Sequence, residues 1–197
     1  ETVEQKKEIE QRLPVINQFE LERICKDKLE TYHEFPGAVP ETVTATRENL
    51  EEMLEKYDRV VFKPRYSFGG KGIEFLDDAN GFEEPQDPEK YVLQAFIDAG
   101  AGIPELGIEG VHDLRIYMMD GEPVGAYVRI PESGLRSNIM QGGRMEFVDI
   151  DDIPANAMEL AEEVEERFRQ YDPYLFALDT VFDREGEAWI MELNSKP

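Results

Sequence analysis

The chain reads as an α+β protein of two lobes, and three observations predict it. Strand-like and helical runs follow one another without the regular β-α-β alternation that builds a doubly wound parallel sheet. A glycine-rich loop, Gly69-Gly70-Lys71-Gly72, joins two extended runs and opens no helix. The 197 residues, 41% of them hydrophobic, suffice for one large domain or for two small lobes with their own cores.

Each element can be justified in order. Residues 1–12 are charged and helical in composition. Residues 47–57 read as a helix with Leu50 and Leu54 on one side. Residues 59–63 form a short apolar strand that runs into the glycine loop, and extension resumes at residues 73–76. Residues 80–90, with Pro85 and Pro88, are an irregular connection to a strand at 91–97. Residues 98–111 are glycine-rich and fit no regular element. A hairpin follows at residues 113–119 and 123–130, turning at Asp120-Gly121. Residues 154–171 carry Ala157, Leu160, Ala161, Val164 and Phe168 at helical spacing. A last hairpin pairs residues 176–182 with 188–194.

Charge narrows the functional classes. With 44 acidic against 21 basic residues the formal net charge is −23, which repels nucleic acid and anionic membranes over the whole surface. No run approaches the roughly 18 apolar residues of a membrane span, and no signal-peptide pattern opens the chain, so a cytoplasmic protein is expected. The single cysteine, Cys25, rules out an internal disulfide framework and reads as a small buried residue. His33 and His112 are isolated, which suits structural or surface positions better than catalysis.

The last hairpin gathers oxygen donors. Glu192 and Asn194 lie two apart and share one strand face, while Trp189, Met191 and Leu193 take the other. If Phe182 pairs with Trp189, Asp179 falls opposite Glu192. Two carboxylates and an amide at that spacing suit magnesium, which prefers oxygen ligands and shares its shell with nucleotide phosphates. A solvated acidic ribbon fits the same spacing. A register shifted by one residue would set Asp179 against Met191 and remove the site.

The glycine loop has the chemistry of a phosphate-binding flap. Gly69, Gly70 and Gly72 allow successive amides to point at phosphate oxygens, and Lys63 places a fixed charge at the end of the preceding strand. It is not a Walker A loop, because no Ser or Thr follows Lys71; a tight β-turn is the plain alternative. Asp113 and Arg115 share a strand face, as an ordinary cross-strand ion pair would. Arg129 and Arg136 stand out because bases are scarce. Clustered with Lys63 and Arg115, they would make a positive pocket suited to polyphosphate.

Taken in order, these pieces resemble the ATP-grasp superfamily, in its branch of glutathione synthetase and the ribosomal-protein glutamate ligase. The matching segments are Asp27-Lys28, Lys63-Pro64 with the glycine loop, Gln94 to Ile97, Asp113-Leu-Arg115, Met119 to Val124, Arg129-Ile-Pro131, Arg136-Ser-Asn138, Gly142-Gly143-Arg144, Asp179 and Glu192-Leu-Asn194. The resemblance implies an ATP-grasp fold in which two α+β lobes, about residues 26–95 and 96–197, sandwich ATP. It implies that Lys28, Lys63 and the flap glycines Gly69 and Gly70 contact the nucleotide, and that the backbone of Ala95, Phe96 and Ile97 pairs with adenine. Asp113, Arg136, Ser137 and Asn138 would complete the nucleotide contacts. Asp179, Glu192 and Asn194 would hold one or two Mg2+ ions, with Mn2+ as a substitute.

The implied reaction is ATP-dependent carboxylate–amine ligation through an acylphosphate, adding an amino acid to a peptide or small molecule, with Arg115 and Arg129 contacting the acylphosphate or the carboxylate. The competing reading is a nucleotide-binding sensor or assembly module without ligation. The acid that binds ribose stays open among Asp98, Glu105 and Glu109. Relatives carry a preceding acceptor-binding domain, for which too few residues precede Lys28. The expectation is a chain cut from something longer, or an acceptor recruited differently.

Overall fold

The computed structural model describes residues 2–67, 69–132 and 143–197. Three helices come first: α1 (Val3–Glu10), α2 (Phe19–Lys26) and α3 (Lys28–Glu34). The last two are separated by Asp27 alone. Its carboxylate accepts the amides of Leu29 and Glu30 and so starts α3 where α2 stops. Helices of 8 and 7 residues are too short to show a clear period in sequence, and neither was expected.

The smaller sheet contains β1 (Thr42–Thr44), β2 (Val60–Pro64), β3 (Glu74–Leu76) and β4 (Tyr91–Ala95) in the antiparallel order β1-β4-β2-β3. Helix α4 (Arg47–Lys56), capped by the Thr46 hydroxyl, packs on it through Leu50 and Met53. Leu54, expected on that face, is only partly buried. The glycine loop joins β2 to β3.

The larger sheet contains β5 (Asp113–Met119), β6 (Glu122–Ile130), β7 (Arg144–Val148), β8 (Leu175–Phe182) and β9 (Ala188–Asn194), in the antiparallel order β7-β6-β5-β8-β9. One face is covered by α5 (Ala155–Phe168), whose Ala157, Ala161, Val164 and Phe168 are fully buried. Phe168 meets Phe35 and Phe176 edge to face, which ties the helix to the sheet and to the segment after α3.

Two assignments differ from the sequence reading. Leu21, Ile24, Phe35, Ala38 and Val39 belong to the core of the larger sheet, so the smaller lobe begins at β1 and not near residue 26. The reason is the i, i+3 spacing of Leu21 and Ile24, which lays α2 against β9. The irregular segment 98–111 is also anchored, because Ile103 and Ile108 are buried in that same core and bridge one another. Gly102 makes this approach possible: a Cβ there would lie 2.1 Å from the Ile108 carbonyl oxygen. Among the described residues no helix is long and apolar enough to cross a membrane.

Candidate functional site

The open face of the larger sheet is charged because its strands alternate. Along β5, Leu114, Ile116 and Met118 point into the core, and Asp113, Arg115 and Tyr117 take the other face. Arg115 stands opposite Asp179 of β8, and Asp113 opposite Arg129 of β6. Arg115 grips the Asp179 carboxylate with two donors at 2.5 and 2.6 Å. Arg129 forks onto Asp113 at 2.6 Å through both nitrogens and reaches Asp179 at 2.8 Å. One buried carboxylate is thereby shared by two guanidiniums. Burial works against both positive charges, but the acids more than offset it: Asp179 holds Arg115 above its ordinary range, and Asp179 with Asp113 does so for Arg129.

The final hairpin reaches its register by a different route from the one expected. Phe182 pairs with Ala188, and Trp189 with Val181, one residue off the predicted Phe182–Trp189 pair. The turn is closed by the Asp183 carboxylate, which accepts the amides of Glu185 and Glu187 and the Trp189 indole N–H. A β-bulge at Met191 then inserts one residue, and Asp179 lies opposite Glu192 after all. The bulge also changes the faces. Ile190 and Leu193 are fully buried, and Met191 joins Glu192 and Asn194 on the cleft side, where sequence alternation had not placed it. The Asn194 amide lies 3.4 Å from Asp179.

Two lysines face this charged surface, one from the smaller sheet and one from α3. Lys63, on β2, is buried and donates to the Gln94 side-chain oxygen at 2.6 Å. Gln94 donates in turn to the Thr42 hydroxyl at 2.9 Å, and Thr42 to the Pro40 carbonyl at 2.7 Å. This relay fixes the ammonium in the cleft, and nothing in the sequence beyond the position of Gln94 next to the expected hinge signalled it. Burial, with the neighbouring Lys28 charge, brings the Lys63 pKa down to about 7. Lys28, at the start of α3, donates to the Ser67 carbonyl at 2.6 Å and lies 3.6 Å from Glu192 of the other sheet. Burial lowers the Lys28 pKa despite Glu192. Burial likewise pushes the Glu192 carboxyl up, with Lys28 opposing and Asp179 adding to it.

The two charged faces enclose a cleft of about 400 Å³, within the range of small-molecule sites. Its walls are partly apolar: Val61 and Phe75 come from the smaller sheet, Ile73 from the loop just before β3, and Val181 and Met191 from the larger sheet. Apolar walls of this kind suit an uncharged ring. The slot was invisible in sequence because each of these residues looks like a core position. Gly69 and Gly70, with φ of 70° and 69°, form the flap at one edge and line the cleft.

The remaining predicted residues divide. Phe96 and Ile97 line the cleft. Ala95 is in the core of the smaller lobe and its amide donates to the Glu41 carbonyl, while the Phe96 amide donates to Arg59. Those two amides are thus committed to backbone partners within the protein. Asp98, Glu105 and Glu109 do not line the cleft, and Asp98 is held by Arg184 at 2.7 Å. His112 is structural: its Nδ1–H donates to the Gly110 carbonyl, its Nε2 accepts the Phe182 amide, and burial keeps it neutral. Arg136, Ser137, Asn138 and Gly142 lie outside the described residues.

Among the described residues no three His, Cys, Asp or Glu side chains cluster as a metal cage. Asp179, Glu192 and Asn194 nevertheless fit a hard cation, since magnesium is commonly held by one or two carboxylates and completes its shell with phosphate oxygens and water.

Asp27 controls the flap as well as α3. Arg65 forks onto its carboxylate at 2.6 and 2.7 Å, just before Ser67 receives Lys28. Asp27→Ala removes the cap and the ion pair together and is expected to cost roughly 2–4 kcal/mol in urea denaturation. Asp27→Asn keeps a capping oxygen and loses less. Both should speed amide exchange in residues 65–72, and protection equal to that of the parent would show that the flap is anchored elsewhere.

Residues 27–192 match the family model of the prokaryotic glutathione synthetase ATP-grasp domain. The chain is 33% identical over 127 residues to a glutathione synthetase of Brucella melitensis, covering 57% of this chain and 36% of that protein. It is 30% identical over 151 residues to the Synechococcus elongatus glutathione synthetase, covering 75% and 45%. The chain thus spans less than half the length of these relatives. In fold it is similar to D-cycloserine synthetase DcsG (TM-score 0.69, 13% identity, 98% of this chain and 69% of that one). It is also similar to the ATP-grasp ligase PsnB complexed with minimal precursor, Mg and ADP (TM-score 0.66, 16% identity, 96% and 56%). The match covers Asp27 and Lys28, the flap, the hinge and the Asp179–Glu192 pair in one continuous span, and the chain belongs to the prokaryotic glutathione synthetase ATP-grasp domain family.

Proposed function

We propose that the chain is the nucleotide-binding and phosphoryl-transfer part of an ATP-dependent carboxylate–amine ligase. The observation that carries this reading is the convergence of Lys28 from α3 and Lys63 from the smaller sheet with Arg115, Arg129, Asp179 and Glu192 from the larger, around one partly apolar cleft of about 400 Å³. ATP is a substrate here. Its base lies in the apolar slot near Ile97, and its phosphates meet Lys28, Lys63 and the amides of Gly69 and Gly70. Asp113 orients Arg129 beside them.

Asp179, Glu192 and Asn194 would hold one or two Mg2+ ions, which neutralise phosphate charge when bound. Arg115 and Arg129 bind the substrate carboxylate and the anion that develops from it. A carboxylate oxygen attacks the γ-phosphorus, forming the acylphosphate and releasing ADP. The amine then attacks the acyl carbon and expels phosphate, closing the carbon–nitrogen bond. The fixed guanidiniums and lysines contribute through position and charge, with no protein nucleophile. An amino acid joined to a peptide or small molecule is the acceptor chemistry that fits the family.

Acceptor-stimulated ADP release, screened with pooled amino acids and short peptides, tests this reading. Glu192→Gln is expected to lower metal-dependent turnover at least about 100-fold while leaving thermal unfolding close to the parent. Turnover at the parent rate would contradict the assignment of Glu192, and magnesium-ATP binding without ADP release from any acceptor would favour a binding module.

Lys63 gives a pH signature. Its pKa of about 7 leaves it mostly neutral at pH 8 in the free protein. Polyphosphate beside it favours the ammonium and raises that pKa, so ATP binding takes up a proton at pH 8. At pH 6 the ammonium is already present and the uptake disappears. Calorimetric enthalpies in buffers of different ionisation enthalpy measure this, and an uptake independent of pH between 6 and 8 would exclude Lys63 from the phosphate site.

A further inference from the structure

Beside the guanidinium pair, the same sheet face continues as an apolar strip that the nucleotide reading leaves unused. Cross-strand partners point to one face, so Tyr127, opposite Arg115, and Met145, opposite Arg129, share the cleft side with them. Phe147 stands opposite Tyr127 and meets its ring edge-on at 6.4 Å, and Tyr127 packs on Tyr117 at 6.0 Å with their hydroxyls 3.4 Å apart. Phe147 is 86% exposed and Met145 41%. Gly125, next on this face of β6, leaves open floor: a Cβ there would meet nothing within 4 Å.

We infer that this strip is the subsite for the carboxylate substrate, and that the substrate carries a large apolar or aromatic group within one residue of its reacting carboxyl. The inference rests on the ligase reading and names its substrate class. Three features select this occupant over others. The strip is continuous with Arg115 and Arg129, where the carboxylate binds. Neighbouring strands are about 5 Å apart and alternate residues about 7 Å, so a group on Tyr127 and Phe147 is a side chain's reach from a carboxylate at Arg129. The chain's charge of −23 disfavours an acidic group at an open surface, whereas an uncharged apolar one covers Phe147 and Met145 without that penalty.

The test uses the full chain with 13C-methyl methionine, Mg2+ and the non-hydrolysable analogue AMPPNP. N-acetyl-phenylalanine is expected to shift the Met145 methyl saturably and to bind at least about tenfold more tightly than N-acetyl-serine. Phe147→Ala should reduce that ratio to about threefold or less. No shift at Met145, or equal affinity for the two compounds, would overturn the subsite whether or not either supports ADP release. A Met145 shift driven by protein concentration alone would assign the strip to contact between copies of the chain and overturn it as well. Preferential binding of the aromatic compound without any acceptor-dependent ADP release upholds the subsite and counts against the ligase reading, so the two fail separately.

Discussion

The site is organised around one buried carboxylate. Asp179 sits in β8, an interior strand of the larger sheet, and is only 3% exposed. A charge placed there must be compensated, and Arg115 does so from the adjoining β5 and Arg129 from β6, one strand further on. Asp113 then takes the second fork of Arg129. Compensation continues across the cleft, where Glu192 faces Lys28. In a chain with twice as many acids as bases, four of the bases are drawn into this one place, and each is fixed by a carboxylate, carbonyl or amide partner.

Such a network suits exchange of partners. Polyphosphate and a divalent cation carry the two charges that Asp179, Glu192 and the cations now satisfy among themselves, so either ligand frees groups for the other. Lys63 stands apart from the ion pairs. Its hydrogen-bond partner is the neutral Gln94, and burial with the neighbouring Lys28 charge depresses its pKa against the pull of Glu192, whereas Arg115 and Arg129 across the cleft are held in their charged forms. The fold sustains this by rigid means: Thr42 in β1 orients Gln94, Asp27 ties α3 to the flap, and the bulge at Met191 turns Glu192 and Asn194 toward Asp179.

Much of this was legible in the sequence, but unevenly. The ordered motifs from Asp27-Lys28 to Glu192-Leu-Asn194 marked the family, and the strand pair read as 113–119 and 123–130 followed from alternation and the Asp120-Gly121 turn. Asp179 was placed opposite Glu192 through a pairing of Phe182 with Trp189 that does not exist, because a bulge adds one residue and cancels one shifted residue; period-2 reasoning cannot see either. Helices α2 and α3 are too short for periodicity, and strand β7, as long as β2 and β4 but mostly exposed, has no buried apolar run to mark it. Val61, Ile73, Phe75 and Val181 were unreadable as a binding slot because an apolar residue facing a cleft and one facing a core look alike until the two sheets are opposed. That the Ala95 amide is already committed to the Glu41 carbonyl is a fact that only the strand pairing reveals.

The proposed convergence of both sheets on one metal–polyphosphate site can be measured directly by paramagnetic broadening with Mn2+-ATP in 15N-labelled protein. The Asn194 side-chain amide and the backbone amides of Asp179 and Glu192 are expected to broaden first, together with those of the flap at Gly69 and Gly70, while the signals of α4 stay sharp. Broadening centred away from the cleft, or spread along the acidic surface and unaffected by ATP, would contradict the site.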